Sequence, residues 1–111
     1  MYYVEKRMEI AAAHKLELDY ESPCNRWHGH NYVVVVYCKS EELDSNGMVY
    51  DFKHLKEKVH GQLDHWNLNY VLDFNPTAEN MAKWIADQVG DKCYKVSVQE
   101  SEGNVAVWVR D

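Results

Sequence analysis

The stretch "CNRWHGHNYVVVV", residues 24–36, places a thiol four residues ahead of the first of two histidines that flank a glycine. Strand side chains alternate, so His28 and His30 share one side of the strand that the following valines predict. His14 ends the run "AAAH", and in a hairpin the end of one strand lies beside the start of the next. Three imidazoles at adjacent strand ends can close on a divalent ion and leave its fourth position open to an exchangeable oxygen. A set of neutral histidines without carboxylate or sulfur suits Zn²⁺ ahead of copper or iron. Cys24 carries two readings: a fourth ligand in a closed structural site, or a free thiol whose thiolate takes part in chemistry. His54 and His60 stand off the apolar stripe of a predicted helix and are read as solvated.

The elements that must position these groups follow from periodicity. A first strand is predicted over roughly residues 2–12, an irregular stretch over "KLELDYESPCNRW", and a second strand over about 28–39, rich in β-branched and aromatic residues. "SEELDSNG" reads as a turn, with Asn46-Gly47 suited to positive φ. Phe52, Leu55, Val59 and Leu63 form one helical stripe across 51–64. A second helix follows Pro76, with Ala78, Met81, Ala82, Ile85 and Val89 on one side and Gly90 as its stop. "YKVSVQE" and "NVAVWVR" read as strands joined by the hairpin loop "SEGN". The order β-β-α-α-β-β predicts an α+β fold: a four-stranded antiparallel sheet with both helices on one face. The other face and the edges stay open, which predicts a homo-oligomer.

Composition sets the bounds. With 111 residues, 46% hydrophobic and 27% charged, residues 1–111 make one globular domain. A net charge of −6 without a lysine-rich run argues against nucleic acid as a partner. Three cysteines without CxxC spacing point to reduced thiols and a cytoplasmic setting, with Cys38 and Cys93 inert. The charged start "MYYVEKRMEI" does not fit a signal peptide, and no run reaches membrane-spanning length.

The blocks "AAH", "CNRWHGHNY", "GMVYDFKHLK", "LDHWNLN", "NPTAEN" and "VSVQES", in that order from about Met8 to Ser101, resemble the 6-pyruvoyl-tetrahydropterin synthase / 6-carboxy-tetrahydropterin synthase family. The CxxxHGH spacing resembles the bacterial 6-carboxy-tetrahydropterin synthases of the queuosine pathway; animal-type 6-pyruvoyl enzymes carry a longer insertion there. The resemblance implies the tunnelling fold, whose subunits assemble into barrels, a hexamer among them. It implies a lyase that turns 7,8-dihydroneopterin triphosphate and water into 6-carboxy-5,6,7,8-tetrahydropterin, acetaldehyde and triphosphate. It further implies Zn²⁺ on His14, His28 and His30, Cys24 as catalytic thiol, and Asp64-His65 as an acid–histidine relay that a neighbouring subunit can supply. Adjacent residues do not face each other on a regular helix, so that pair must lie at a frayed helix end. Glu100 matches the carboxylate that grips the pterin, and Thr77 and Glu79 match a pterin-pocket segment that also reads as a helix cap. Lys15 and Arg26 flank the zinc-site segments and are candidates for the triphosphate. The rival readings are a 6-pyruvoyl-tetrahydropterin synthase, which eliminates triphosphate and keeps the side-chain carbons, and a non-catalytic zinc- or pterin-binding module.

Overall fold

Alternation in the valine-rich segment decides which side of the sheet becomes core. The structure, a computed structural model, describes residues 1–111. Strand β1 (Tyr2–His14) pairs antiparallel with β2 (His28–Ser40), β2 with β3 (Cys93–Ser101), and β3 with β4 (Asn104–Val109). In β2, Tyr32, Val34, Val36 and Cys38 are fully buried, whereas Asn31 and Lys39 are exposed on the opposite side. Met8, Ile10, Ala12 and His14 continue that buried face in β1, and Val96 and Val98 continue it in β3.

Three helices cover this face: α1 (Phe52–Leu63), α2 (Leu68–Val71) and α3 (Ala78–Val89). Each long helix starts on a side-chain cap. Asp51 accepts from the Lys53 N–H at 2.8 Å, and Thr77 accepts from the Asn80 N–H at 3.1 Å. Gly90 ends α3 at φ 104°, in the positive-φ region open to glycine. The predicted stripe of α3 is buried apart from Ala78, which is partly covered. In α1, Leu55, Val59 and Leu63 are buried but Phe52 is 49% exposed, contrary to the predicted stripe. As first residue after the cap, it stands beyond the end of the layer that the next turns pack against. Two elements were not legible as elements. The single turn of α2 is too short to show a period, and Pro23–Asn25 forms a one-turn 3-10 helix inside the irregular stretch.

The hairpin register positions the chemistry. β1 runs two residues further than predicted, so that His14 lies opposite His28, Ala12 opposite His30 and Ile10 opposite Tyr32. In β3 the pairing jumps from Gln99–Val105 to Ser101–Asn104, leaving Glu100 as the extra residue of a bulge. No helix is long and apolar enough to cross a membrane.

Candidate metal centre and substrate cleft

His14, at the last position of β1, is fully buried, and His28 and His30 open β2 beside it. One ring nitrogen from each of the three lies within 4.8 Å of the others. The tautomers follow from their partners. His14 Nδ1 is 2.9 Å from the Pro76 carbonyl and His28 Nδ1 is 2.8 Å from the Arg26 carbonyl. A carbonyl only accepts, so both Nδ1 atoms carry the proton and both Nε2 atoms keep a lone pair. Those two Nε2 atoms are 3.0 Å apart. Two lone pairs facing at that distance repel unless a cation lies against both.

His30 makes the same case differently. Its Nε2 is buried without a hydrogen-bond partner, although Glu100 Oε1 lies 3.4 Å away. An orphaned ring nitrogen at a site of converging acceptors is what a bound ion would satisfy. A tetrahedral ion with ~2.0–2.1 Å bonds spaces its nitrogens about 3.3 Å apart, near the 3.0 Å between His14 Nε2 and His28 Nε2. Burial holds the pKa of His14 and of His30 below the ordinary histidine value, and neighbouring imidazoles add to the effect. Glu100 opposes it at both rings, as does the Pro76 hydrogen bond at His14. The residues fit Zn²⁺.

Cys24 is half-buried in the Pro23–Asn25 turn, and its sulfur is outside the converging set. Of its two readings, the closed four-ligand site is not formed; the thiol is free. Asp64 and His65 lie past the end of α1, as the helix geometry required. Asp64 Oδ1 accepts from the Ala11 N–H at 2.9 Å, and Oδ2 is 2.6 Å from His65 Nδ1. His65 takes φ 62°, rare outside glycine, and its N–H donates to the Ala11 carbonyl at 2.7 Å. The pair is therefore stitched to the edge of β1. The His65 side chain is 82% exposed, and nothing in the same chain covers it. His60, read as solvated, instead approaches Asp64 Oδ2 to 3.5 Å, one helical turn before it. His54 is exposed as predicted.

Glu79 and Glu100 share an open cleft of about 580 Å³ with Ala78 and the start of β4. That is a usual size for a small-molecule site. Thr77 spends its hydroxyl on the α3 cap. Lys15 holds its ammonium 5.2 Å from the centre of the Trp27 ring, which in turn meets Tyr70 edge-on. The Arg26 guanidinium makes no ion pair; it is the Arg26 carbonyl that serves the site, by orienting His28.

Sequence reasoning missed Tyr32 and Pro76. The Tyr32 hydroxyl lies 3.1 Å from Nδ1 and 3.3 Å from Nε2 of His14, against the ring. Burial first, and the Glu100 charge second, raise its pKa and keep the phenol protonated. Alternation alone could have found Tyr32, two residues beyond His30 on the same face. Nothing local marks Pro76, because its role is set by a fold that brings it to His14.

Residues 3–111 match the family model described as 6-pyruvoyl tetrahydropterin synthase. The chain is 36% identical to a 6-carboxy-5,6,7,8-tetrahydropterin synthase of Bacillus subtilis, over 99% of this chain and 79% of the relative. It is 33% identical to the human 6-pyruvoyl tetrahydrobiopterin synthase, over 95% of this chain and 89% of that protein. Among solved structures, the 6-pyruvoyl tetrahydropterin synthase of Caenorhabditis elegans superposes with a TM-score of 0.79 at 28% identity, covering 99% of this chain and 96% of the other. The matched span contains the three converging histidines and both cleft carboxylates, and the chain accordingly belongs to the 6-pyruvoyl tetrahydropterin synthase family, as a lyase-type enzyme of pterin chemistry.

Proposed function

We propose that this chain is a zinc-dependent 6-carboxy-5,6,7,8-tetrahydropterin synthase of cytoplasmic queuosine (7-deazapurine) biosynthesis. Its substrate would be 7,8-dihydroneopterin triphosphate, and with water the products would be 6-carboxy-tetrahydropterin, acetaldehyde and triphosphate. The observation that carries the reading is the three-histidine cluster with Glu100 beside it and Cys24 left free. The CxxxHGH spacing and the likeness to the 6-carboxy-5,6,7,8-tetrahydropterin synthase of Bacillus subtilis favour this product.

His14, His28 and His30 would hold Zn²⁺, which when bound supplies Lewis acidity toward the oxygens of the substrate side chain. Glu100, with Glu79 across the cleft, accepts hydrogen bonds from the amino group and adjacent N–H of the pterin ring, a bidentate match. Thr77 fixes the start of α3, which carries Glu79 into that cleft. Cys24 moves a proton at the substrate side chain and acts as thiolate to do so. Asp64 holds the proton of His65 on Nδ1, which leaves Nε2 to exchange one with substrate or thiol. The exposed ring of His65 suits a site completed between subunits, so a homo-oligomer is part of the proposal. Lys15 and Arg26 supply positive charge for the triphosphate.

The test is to incubate the zinc-loaded protein with dihydroneopterin triphosphate and assay acetaldehyde. Stoichiometric acetaldehyde is the expected result. Triphosphate release without acetaldehyde would establish the 6-pyruvoyl synthase reading, which the human relative favours. A non-catalytic module predicts neither product. In the lyase reading, Cys24→Ala and His65→Ala each lower turnover by about 10²–10⁴-fold with zinc retained.

A further inference from the structure

Residues 15–27 join His14 to His28 without entering the sheet, yet the catalytic role proposed for Cys24 needs its sulfur at a fixed place. The hydrogen bonds of residues 15–18 show what holds this loop. Asn69 Oδ1 accepts from the Lys15 N–H at 2.9 Å, and Asn69 Nδ2 donates to the Lys15 carbonyl at 2.9 Å. Two residues on, Asn75 repeats the pattern: Oδ1 accepts from the Glu17 N–H at 2.9 Å and Nδ2 donates to the Glu17 carbonyl at 3.2 Å. The intervening residues point their N–H groups elsewhere. Leu16 N–H donates to the Cys24 carbonyl at 2.8 Å, and Leu18 N–H to Asn25 Oδ1 at 3.3 Å.

This is the alternation of a β-ladder, with two side-chain amides in place of a neighbouring strand. A carboxamide can stand in for a peptide group because it offers one acceptor and donors side by side. Asp would keep the acceptor and set an anionic oxygen against a carbonyl. Both amides are anchored: Asn69 sits on α2, and the Asn75 carbonyl accepts from Asn80 Nδ2 at 2.9 Å and from the Thr77 N–H at 2.9 Å. The segment carrying them also contains Pro76, whose carbonyl orients His14.

We infer that Asn69 and Asn75 are positioning residues for Cys24, which they hold in register with the histidine cluster through the backbone of residues 15–18. The inference rests on the proposed catalytic role of Cys24. The free thiol itself reports on it, because Cys38 and Cys93 are fully buried and Cys24 is the accessible sulfur for alkylation.

The experiment compares Asn69→Ala and Asn75→Ala with the parent and with Gln62→Ala, which loses an exposed amide bond to the Lys58 carbonyl within α1. Turnover, KM, bound zinc and the rate of Cys24 alkylation by iodoacetamide at one pH are measured on each. The expected result is a fall in kcat of about 10²-fold from a displacement on the order of 1 Å. KM should change less, zinc should stay bound, and alkylation should speed up as the half-buried thiol is released. Gln62→Ala should match the parent. Unchanged alkylation in folded variants overturns the inference, and so does loss of zinc in proportion to kcat, which would make the clamp a support for His14. If the alanine variants do not fold, Asn69→Asp and Asn75→Asp carry the same test at constant side-chain size. Full turnover in Cys24→Ser would sink the catalytic reading of the thiol, while faster alkylation in the asparagine variants would still support the positioning role.

Discussion

His30 is the residue whose environment asks most plainly for an ion, because its buried Nε2 has no hydrogen-bond partner. Replacing it with alanine removes one of the three proposed ligands, and bound zinc should fall from one per chain to a small fraction, read by metal analysis after gel filtration. Asp64 makes a prediction about pH. The Ala11 N–H first, and the His65 hydrogen bond and neighbouring imidazoles after it, hold its carboxyl below the usual carboxylate range. A folded-state pKa below the unfolded one stabilises the fold above the unfolded value, near ~3.9, and the contribution disappears as pH falls through the folded value. Asp64→Ala should therefore cost about 1.5 kcal/mol at neutral pH, the worth of a charged hydrogen bond to backbone. The gap between parent and variant should narrow below about pH 4, as urea unfolding across pH would measure. An equal gap at pH 7 and pH 3 would show that the charge contributes nothing.

At the scale of elements, α3 does two jobs from one end. Its cap is Thr77, the preceding carbonyl of Pro76 orients His14, and the following Glu79 faces the cleft it shares with Glu100. Thr77→Ala should lose about 1 kcal/mol of stability, whereas Thr77→Ser keeps the capping oxygen and should lose little. Thermal unfolding of the two variants side by side separates the cap from any contact with substrate: a KM rise in both, at unequal stability, assigns the methyl to the pocket. The short helix α2 buries Leu68 in the core and carries Asn69, whose amide bonds both backbone groups of Lys15.

The whole molecule is a long sheet covered on one side. Its radius of gyration is 14.8 Å, above the about 13 Å of a compact chain this size, and its longest extent is 51 Å. On β4, the edge strand, Val105, Val107 and Val109 are 54%, 53% and 54% exposed on the uncovered face. Such a stripe on an unpaired edge suits strand pairing between copies. Val109→Asp, on the part of the stripe outside the cleft that Val105 and Val107 line, should shift the protein to monomer in sedimentation velocity and abolish turnover together with assembly, with the far-UV spectrum unchanged. An active monomer would show that the site is complete within one chain.

Much of this was legible in the sequence. Alternation in "HGHNYVVVV" put His28 and His30 on one side, the stripes of α1 and α3 marked their buried faces, and Thr77 and Gly90 marked the ends of α3, because each of these signals acts over a few residues. The outlying Phe52 and the single turn of α2 were not, since they depend on where a neighbouring layer stops. The tautomer of His14, the attachment of Asp64 to Ala11 and the amide ladder on residues 15–17 belong to tertiary structure alone. Nearly all of those bonds join residues fifty or more positions apart, and the partner in most is a backbone group, which carries no side-chain identity for a sequence to display.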